Sequence, residues 1–423
     1  MILISSLVLL TQPMFSTADT AMLNDLQKRA VNFFVNESHP ATGLTKDRAK
    51  NNANRDDYKI ASSASTGYAL AAFVIGADRG WLSKADAKAK TLTTLRGIND
   101  LLEHERGWSY HFTDWATGKR EWKSEASTID TSLLACGLLV AQSYWKDKEV
   151  NALSDAYLKR IDWNWALTDG GKKPDETHVS MGWHPETGFI KARWSMYCEH
   201  KLLYILGYGS TDMRTEGWDT VSRPVLAYEG IPYIVGGPIF LHQMAEGWFD
   251  FSNKRDRSGI NYVAASRNAI LANRAYAINN PKKFKGYGPD FWGLNASDHP
   301  DGYGAQGAPG WIDDNGTISP TGIAASLGVA PKETLSALRH LRSAYPTAYG
   351  RYGFPNALNP TREWTDPDVI GIDLGMMLVS VENARTGLIH RLTNQNPIAK
   401  RGMDRAGLKP APGSNNGPMI KKD

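Results

Sequence analysis

Apolar positions along the chain recur mainly at helical spacing. Between residues 22 and 36, Leu23, Leu26, Ala30 and Phe33 fall on one face. Residues 84–104 repeat the pattern with Leu92, Leu95, Ile98 and Leu102. Two other stretches, 62–78 and 126–146, are small and apolar nearly all round, as expected of helices buried on several sides. Further helices are predicted at 194–208, 238–252, 261–279, 332–344 and 373–390. Long polar loops rich in Gly, Pro and Trp separate them, at 38–60, 105–124, 164–190, 210–236, 286–318 and 346–370. No βαβ rhythm or period-2 strand series is present, so strands are expected only as short pairs within loops, for instance at 108–113. Helices apolar on two faces alternate with amphipathic ones. That predicts an inner and an outer ring, an all-α toroid of paired helices forming one domain. Functional residues would then sit on loops and inner-helix ends at one mouth.

The two ends differ from this body. Residues 2–10 are apolar apart from Ser5 and Ser6, and Ser16-Thr17-Ala18 offers a small-residue cleavage site. The run is too short to span a bilayer and predicts a removed export signal over residues 1–18, hence a periplasmic or secreted protein. The helical domain is expected over 19–398. Gly, Pro, Asn and Lys dominate 399–423, which predicts a flexible tail.

Composition removes several classes of function. The chain has 423 residues and a net charge of +4, with no basic tract, so nothing suggests nucleic acid. Two cysteines exclude a disulfide scaffold, and both Cys136 and Cys198 read as buried small hydrophobes. Walker loop, nucleophile elbow and HExxH are absent, and no His pairs with Cys at metal-ligand spacing. No metal and no organic cofactor is expected. Trp at 14 and Tyr at 17 outnumber what burial alone favours, because both need polar partners. Either they staple helices together or they stack against flat ligands such as sugar rings.

Candidate chemistry therefore rests on carboxylates in apolar settings. Glu125 and Asp130 flank the start of the apolar run in EASTIDTSLL, where Ser127 and Asp130 could equally form a helix cap. Glu199 lies within RWSMYCEHKLLYIL, where a carboxylate is costly unless it is paired or faces a cavity. Asp373 opens an apolar helix and could simply cap it. Glu382, further along that helix, has Arg385 as an expected partner. Glycoside hydrolysis needs one protonated carboxyl and one ionised carboxylate. A desolvated Glu199 suits the acid and a more polar Asp373 the base.

The order of these segments resembles the glycoamylase-like proteins, in particular the endo-β-1,2-glucanases of glycoside hydrolase family 144 and its relatives. The resemblance runs from about residue 33 to 389. It rests on FFVNESHPATGLTKDR (33–48), YHFTDWATG (110–118), EASTIDTSLLACG (125–137), GWHPETGF (182–189) and WSMYCEHKLLYILGYGS (194–210). It continues through PIFLHQMAEGWFDF (238–251), WGLNASDHPDGY (292–303), YGRYGFPNALNP (349–360) and GIDLGMMLVSVENARTGLIH (371–390). It implies a single (α/α)6 barrel that cleaves β-1,2-linked glucose chains internally; separately, a monomer is expected. The general acid of the W-x-x-Y-x-E segment falls on Glu199, and the general base of G-I-D-x-G on Asp373. Glu125, Asp130, His111, Trp183, Tyr197, Trp248, Asp298, Tyr303 and Tyr352 become the implied substrate contacts. Inversion would separate the two carboxyls by roughly 6.5–9.5 Å. The chain departs from the pattern at Met244, Ala245 and Glu246 (relatives read H-Q-Y-S-H over 242–246), at His299 in place of Gly, and at Ala384 in place of Tyr. An exo-acting relative, a retaining transglycosylase and a non-catalytic glucan-binding protein fit the same motifs.

Overall fold

The computed structural model describes residues 15–53, 57–310 and 313–420. Helices dominate. The first group is α1 (Thr17–Asn36), α2 (Ser63–Asp78), α3 (Lys84–Asp100), α4 (Thr128–Trp145), α5 (Lys148–Arg160), α6 (Trp163–Thr168), α7 (His200–Ser210) and α8 (Glu216–Thr220). The second is α9 (Met244–Trp248), α10 (Tyr262–Asn279), α11 (Pro320–Ala325), α12 (Pro331–Ala344), α13 (Gly371–Thr386), α14 (Leu388–Gln395) and α15 (Pro397–Arg405). The strongly periodic helices fall where the pattern put them. Helix α15 falls mostly in the expected tail and α8 and most of α6 in expected loops, while α5 and α11 lie between the predicted elements.

Burial separates two kinds of helix. In α2 every residue from Ser63 to Ala77 is buried, and α4, α7 and α13 are buried along most of their length. Helices α3, α5 and α12 bury one stripe each. The two kinds are paired: α2 packs with α3, α4 with α5, and α11 with α12. Backbones come very close where α2 meets α4. A Cβ on Gly67 would lie 2.5 Å from the Leu134 Cα, and one on Gly137 only 2.2 Å from the Gly67 carbonyl. Trp108, Trp163, Trp218, Trp248 and Trp292 are all fully buried. These five of the fourteen tryptophans serve the core.

Short antiparallel strand pairs feed the buried helices. Residues Ile60–Ser62 lead into α2 and pair with Phe112–Asp114. Ala126–Ser127 lead into α4 and pair with Gly182–His184. Asp368–Ile370 lead into α13 and pair with Arg48–Lys50, with Arg48 opposite Ile370. Each pair fixes where a helix begins and brings a loop from elsewhere beside its first turn.

Residues 1–14 of the expected export signal lie outside the described residues; Ser16 accepts from the Asp19 N–H and caps α1. The expected flexible tail is corrected over 399–420. Arg401 donates to the Gly209 carbonyl, and Arg405 to the carbonyls of Tyr208 and Met213, at 2.8–3.1 Å. These arginines satisfy carbonyls at and beyond the C-terminal end of α7. Lys409–Pro410 then pair with Lys254–Arg255. A polar composition concealed this anchoring because the arginines bond to backbone, not to an apolar face. Among the described residues no helix is long and apolar enough to cross a membrane.

Candidate active site

Beside the N-terminal ends of α4, α7 and α13 lies a cavity of about 410 Å³. Its wall holds Glu199, Asp373, Asp130, His111 and Tyr303, joined by Asp47 and Arg48. Apolar surface comes from Phe112, Phe240, Met244 and Ile372. Helix N-termini favour negative charge, and here they are given carboxylates. Burial opposes that preference.

Glu199 occupies the N-cap position of α7, not its interior as the apolar run suggested. Its side chain makes no capping bond, and Oε2 is buried without a partner among the described residues. The preceding turn is pinned: Tyr197 donates its N–H to Ser222, and the Cys198 N–H donates to His200 Nδ1 at 3.1 Å. Burial raises the Glu199 carboxyl to about 7, with Asp130 adding to the rise and Lys201 opposing it. Cys198 is half-buried in this turn, in the groove wall, so its reading as a core residue within a helix is corrected.

Asp373 stands in the first turn of α13 and does not cap it. Gly371 and Gly375 on either side are required by close packing: a Cβ there would lie 2.2 Å from Ser65 Oγ and 2.1 Å from Tyr68 Cγ. The carboxylate instead accepts from Asn356 Nδ2 at 2.6 Å. Burial lifts this group to about 7 as well, against the pull of Asn356 and with Asp47 and Asp298 contributing. The expectation of a more polar Asp373 is thus corrected, because it is 7% exposed and flanked by other acids.

Glu125 and Asp130 converge on His111. Its Nδ1 lies 3.0 Å from Glu125 Oε1 and its Nε2 3.6 Å from Asp130 Oδ1. Burial works against the imidazolium, but Asp130 and Glu125 outweigh it and raise His111 to about 9. The ring is therefore charged at neutral pH. Asp130 also receives the Ser127 hydroxyl while Ser127 caps α4, so capping and site geometry coexist. Arg48 bonds Asp298 at 2.8 Å and approaches Asp47 at 3.5 Å, fixing Asp298 beside the wall. Two groups, His111 with Glu125 and Asp130, and Asp298 with Asp366 and Asp368, bring ligand-type atoms within 4.8 Å of one another. His111 is itself a member of the first group, and Arg48 offsets part of the charge of the second through Asp298 and Asp368.

Not every expected contact reaches the cavity. Trp248 is fully buried and stacks on Tyr68 with centroids 4.9 Å apart, so its expected role as a sugar contact gives way to core packing. Tyr352 is 1% exposed and directs its hydroxyl to Glu37, which removes it from the wall in the same way. Tyr197 is buried, with its hydroxyl accepting from Lys201, and borders a neighbouring groove. Trp183 packs against Trp165 outside the cavity. Sequence reading missed Asp47, Arg48 and Asn356 as individual residues, although the segments 33–48 and 349–360 contain them. It also missed Trp122, which is 60% exposed and leans on Phe112 at 5.1 Å.

Glu199 borders a second depression too. A groove of about 820 Å³, lined by Met181, Trp194, Met196 and Leu241 among others, meets the cavity at this residue. A protonated carboxyl with one free oxygen between two depressions can give a proton to an atom bridging them.

A glycoamylase family model, described as "Putative glucoamylase", matches residues 191–397. The chain is also 27% identical to an exo β-1,2-glucooligosaccharide sophorohydrolase (non-reducing end) of Parabacteroides distasonis. That match covers 93% of this chain but 58% of the relative, so the chain spans little more than half its length. Among solved structures, a "putative glucoamylase" from Bacteroides uniformis superposes with a TM-score of 0.84 at 28% identity, covering 94% of this chain and 99% of the other. An endo-β-1,2-glucanase from Chitinophaga pinensis, solved with sophorotriose and glucose, shares the fold at a TM-score of 0.83 and 24% identity, with 93% and 99% covered. The resemblance to glycoamylase-like proteins carried by the motifs is thus found again in sequence and in fold.

Proposed function

We propose that the chain is a glycoside hydrolase acting on β-1,2-linked glucose chains, its helices closing as an (α/α)6 barrel. One observation carries the reading. Glu199 and Asp373 share the wall of one cavity, both are raised to about 7, and only Asp373 is bonded to an amide donor. The donor favours the ionised form of Asp373, which suits a base. Glu199, buried with Oε2 unpaired among the described residues, favours its protonated form, which suits an acid. Glu199 protonates the glycosidic oxygen and Asp373 activates water, giving inversion. His111 and Arg48 hold the surrounding acids in place, and Tyr303 and Phe112 offer aromatic surface to the sugar.

Cleavage within the chain is the proposed mode, supported by the open groove continuing past Glu199. Release of a disaccharide from a chain end is the second reading, supported by the activity named for the Parabacteroides relative. Incubation of the purified protein with linear β-1,2-glucan, products sized over time, separates them. Mixed short oligosaccharides that disappear with Glu199→Gln support internal cleavage, and sophorose alone supports the exo mode. No product from this glucan would overturn both. Export is proposed from the apolar N-terminal run and is checked by sequencing the N-terminus of the mature protein.

A further inference from the structure

A second cavity lies behind the catalytic wall. The segment 240–246 divides the two. Phe240 and Met244 line the cavity of Glu199 and Asp373, whereas His242, Gln243 and Glu246 line a separate one of about 480 Å³. That volume falls in the range of about 300–1,000 Å³ typical of small-molecule sites. Phe249, Val263 and Leu327 give it apolar walls. Two small residues stand across from each other in its wall: a Cβ added to Gly328 would lie 4.0 Å from that of Ala384.

The polar atoms of this wall are left unpaired in one sense only. His242 Nδ1, Gln243 Oε1 and Glu246 Oε2 are buried and have no partner among the described residues. His242 and Gln243 are 2% and 3% exposed, so bulk water does not serve them. Such atoms carry a desolvation cost until something bonds them. Gln243 cannot turn to relieve its oxygen, because Nε2 donates to the Gly322 carbonyl and to Ser326 Oγ, each at 2.8 Å. Glu246 Oε1 is held by Lys201 at 2.7 Å and receives the Ser266 hydroxyl at 3.2 Å. Burial keeps His242 neutral, lowered to about 3, so its ring can accept or donate.

Charge decides what fits. The Lys201 side chain is fully buried and neutralises Glu246. The pair leaves the wall without a net charge to hold an ionic ligand, and the unpaired acceptors add nothing that favours an anion. Hydroxyl donors on an uncharged carbon frame match both the acceptors and the apolar walls. We propose that this cavity is a second ligand site, taking a neutral polyhydroxylated molecule of the size of a mono- or disaccharide.

The test is calorimetric titration of the full chain with D-glucose, glucosamine and glucuronate, on the wild type, Ala384→Trp and Gly328→Leu. The wild type should bind glucose saturably. Both variants should lose at least tenfold in affinity for one binding event, while kcat/KM on β-1,2-glucan stays within twofold. Gly328 is exposed, so its variant keeps the test open if Ala384→Trp does not fold. Absence of saturable glucose binding overturns the proposal. So do titrations unchanged in a folded variant, or charged analogues that bind this site as tightly as glucose. Binding decides the outcome even if no glucan is cleaved, so failure here and failure of the hydrolase reading are distinguishable.

Discussion

Asn356 donates from Nδ2 to Asp373 Oδ2 at 2.6 Å while its own Oδ1 accepts the backbone N–H of Asp298 at 2.8 Å. The amide therefore cannot rotate away, and the donor always faces the carboxylate. Removing it takes away a bond to the charged form, which raises the Asp373 pKa further. Asn356→Ala should move the acidic limb of the kcat/KM profile up by about 0.5–1 pH unit and lower kcat at pH 6 more than at pH 8. Equal loss at both pH values would mean that Asn356 only supports the local fold.

With both carboxyls near 7, only about a quarter of the molecules at best hold an ionised Asp373 and a protonated Glu199 together. The kcat/KM profile should be a narrow bell centred close to pH 7. Glu199→Gln should abolish its alkaline limb and lower kcat by about 10²–10⁴. A broad plateau from pH 5 to 9 would contradict the assignment.

The same shift predicts stability. Glu199 is raised above its ordinary 4.5, so the folded state holds the proton more tightly than the unfolded chain. Its contribution is constant below about 4, falls as pH rises to about 7, and is flat above. Glu199→Gln should therefore gain stability over wild type at pH 8, on the order of 1–3 kcal/mol, and little at pH 4. Urea unfolding at the two pH values checks this.

His111 adds a slope of the same sign at higher pH. Its folded pKa of about 9 exceeds the ordinary 6.5, so its stabilisation is fully present below about 6.5 and lost as pH rises through about 9. His111→Phe should remove that slope and leave Glu125 and Asp130 as unbridged acids, raising KM as well. A variant whose pH slope matches wild type would show that His111 is neutral in the fold.

Trp248 separates packing from binding. Trp248→Ala should cost about 3–5 kcal/mol of stability. Trp248→Phe should leave KM within about twofold, because the ring meets Tyr68 and not the cavity. A large KM change in a stable Trp248→Phe would restore it as a substrate contact.

The long buried helices were legible because their apolar periodicity is strong over many turns, as in α2 and α4. Asp373 and Asp130 were legible as residues at helix starts. Glu199 was legible only as a carboxylate in apolar company; its N-cap position was not, since the chain from Trp194 to Cys198 is apolar without being helical. Arg48, Asn356 and the partner of Glu382 could not be read from sequence. Glu382 pairs with Arg79 at 2.9 Å, while the expected Arg385 turns to Gln27 and Asn24. These contacts join residues far apart in the chain, where local spacing carries no information.

The pairing of Arg48–Lys50 with Asp368–Ile370 also constrains time. The Asp47 carbonyl accepts the Gly371 N–H, and Arg48 reaches Asp298 beside the cavity wall. A ribosome has to release the chain beyond Asp373 before that residue can meet the early segment. Loop closure over such a separation is slow compared with helix formation. The helices can therefore form during synthesis, whereas the cavity that holds both acids is completed only afterwards, so activity should appear later than helical signal when the unfolded chain is diluted from denaturant.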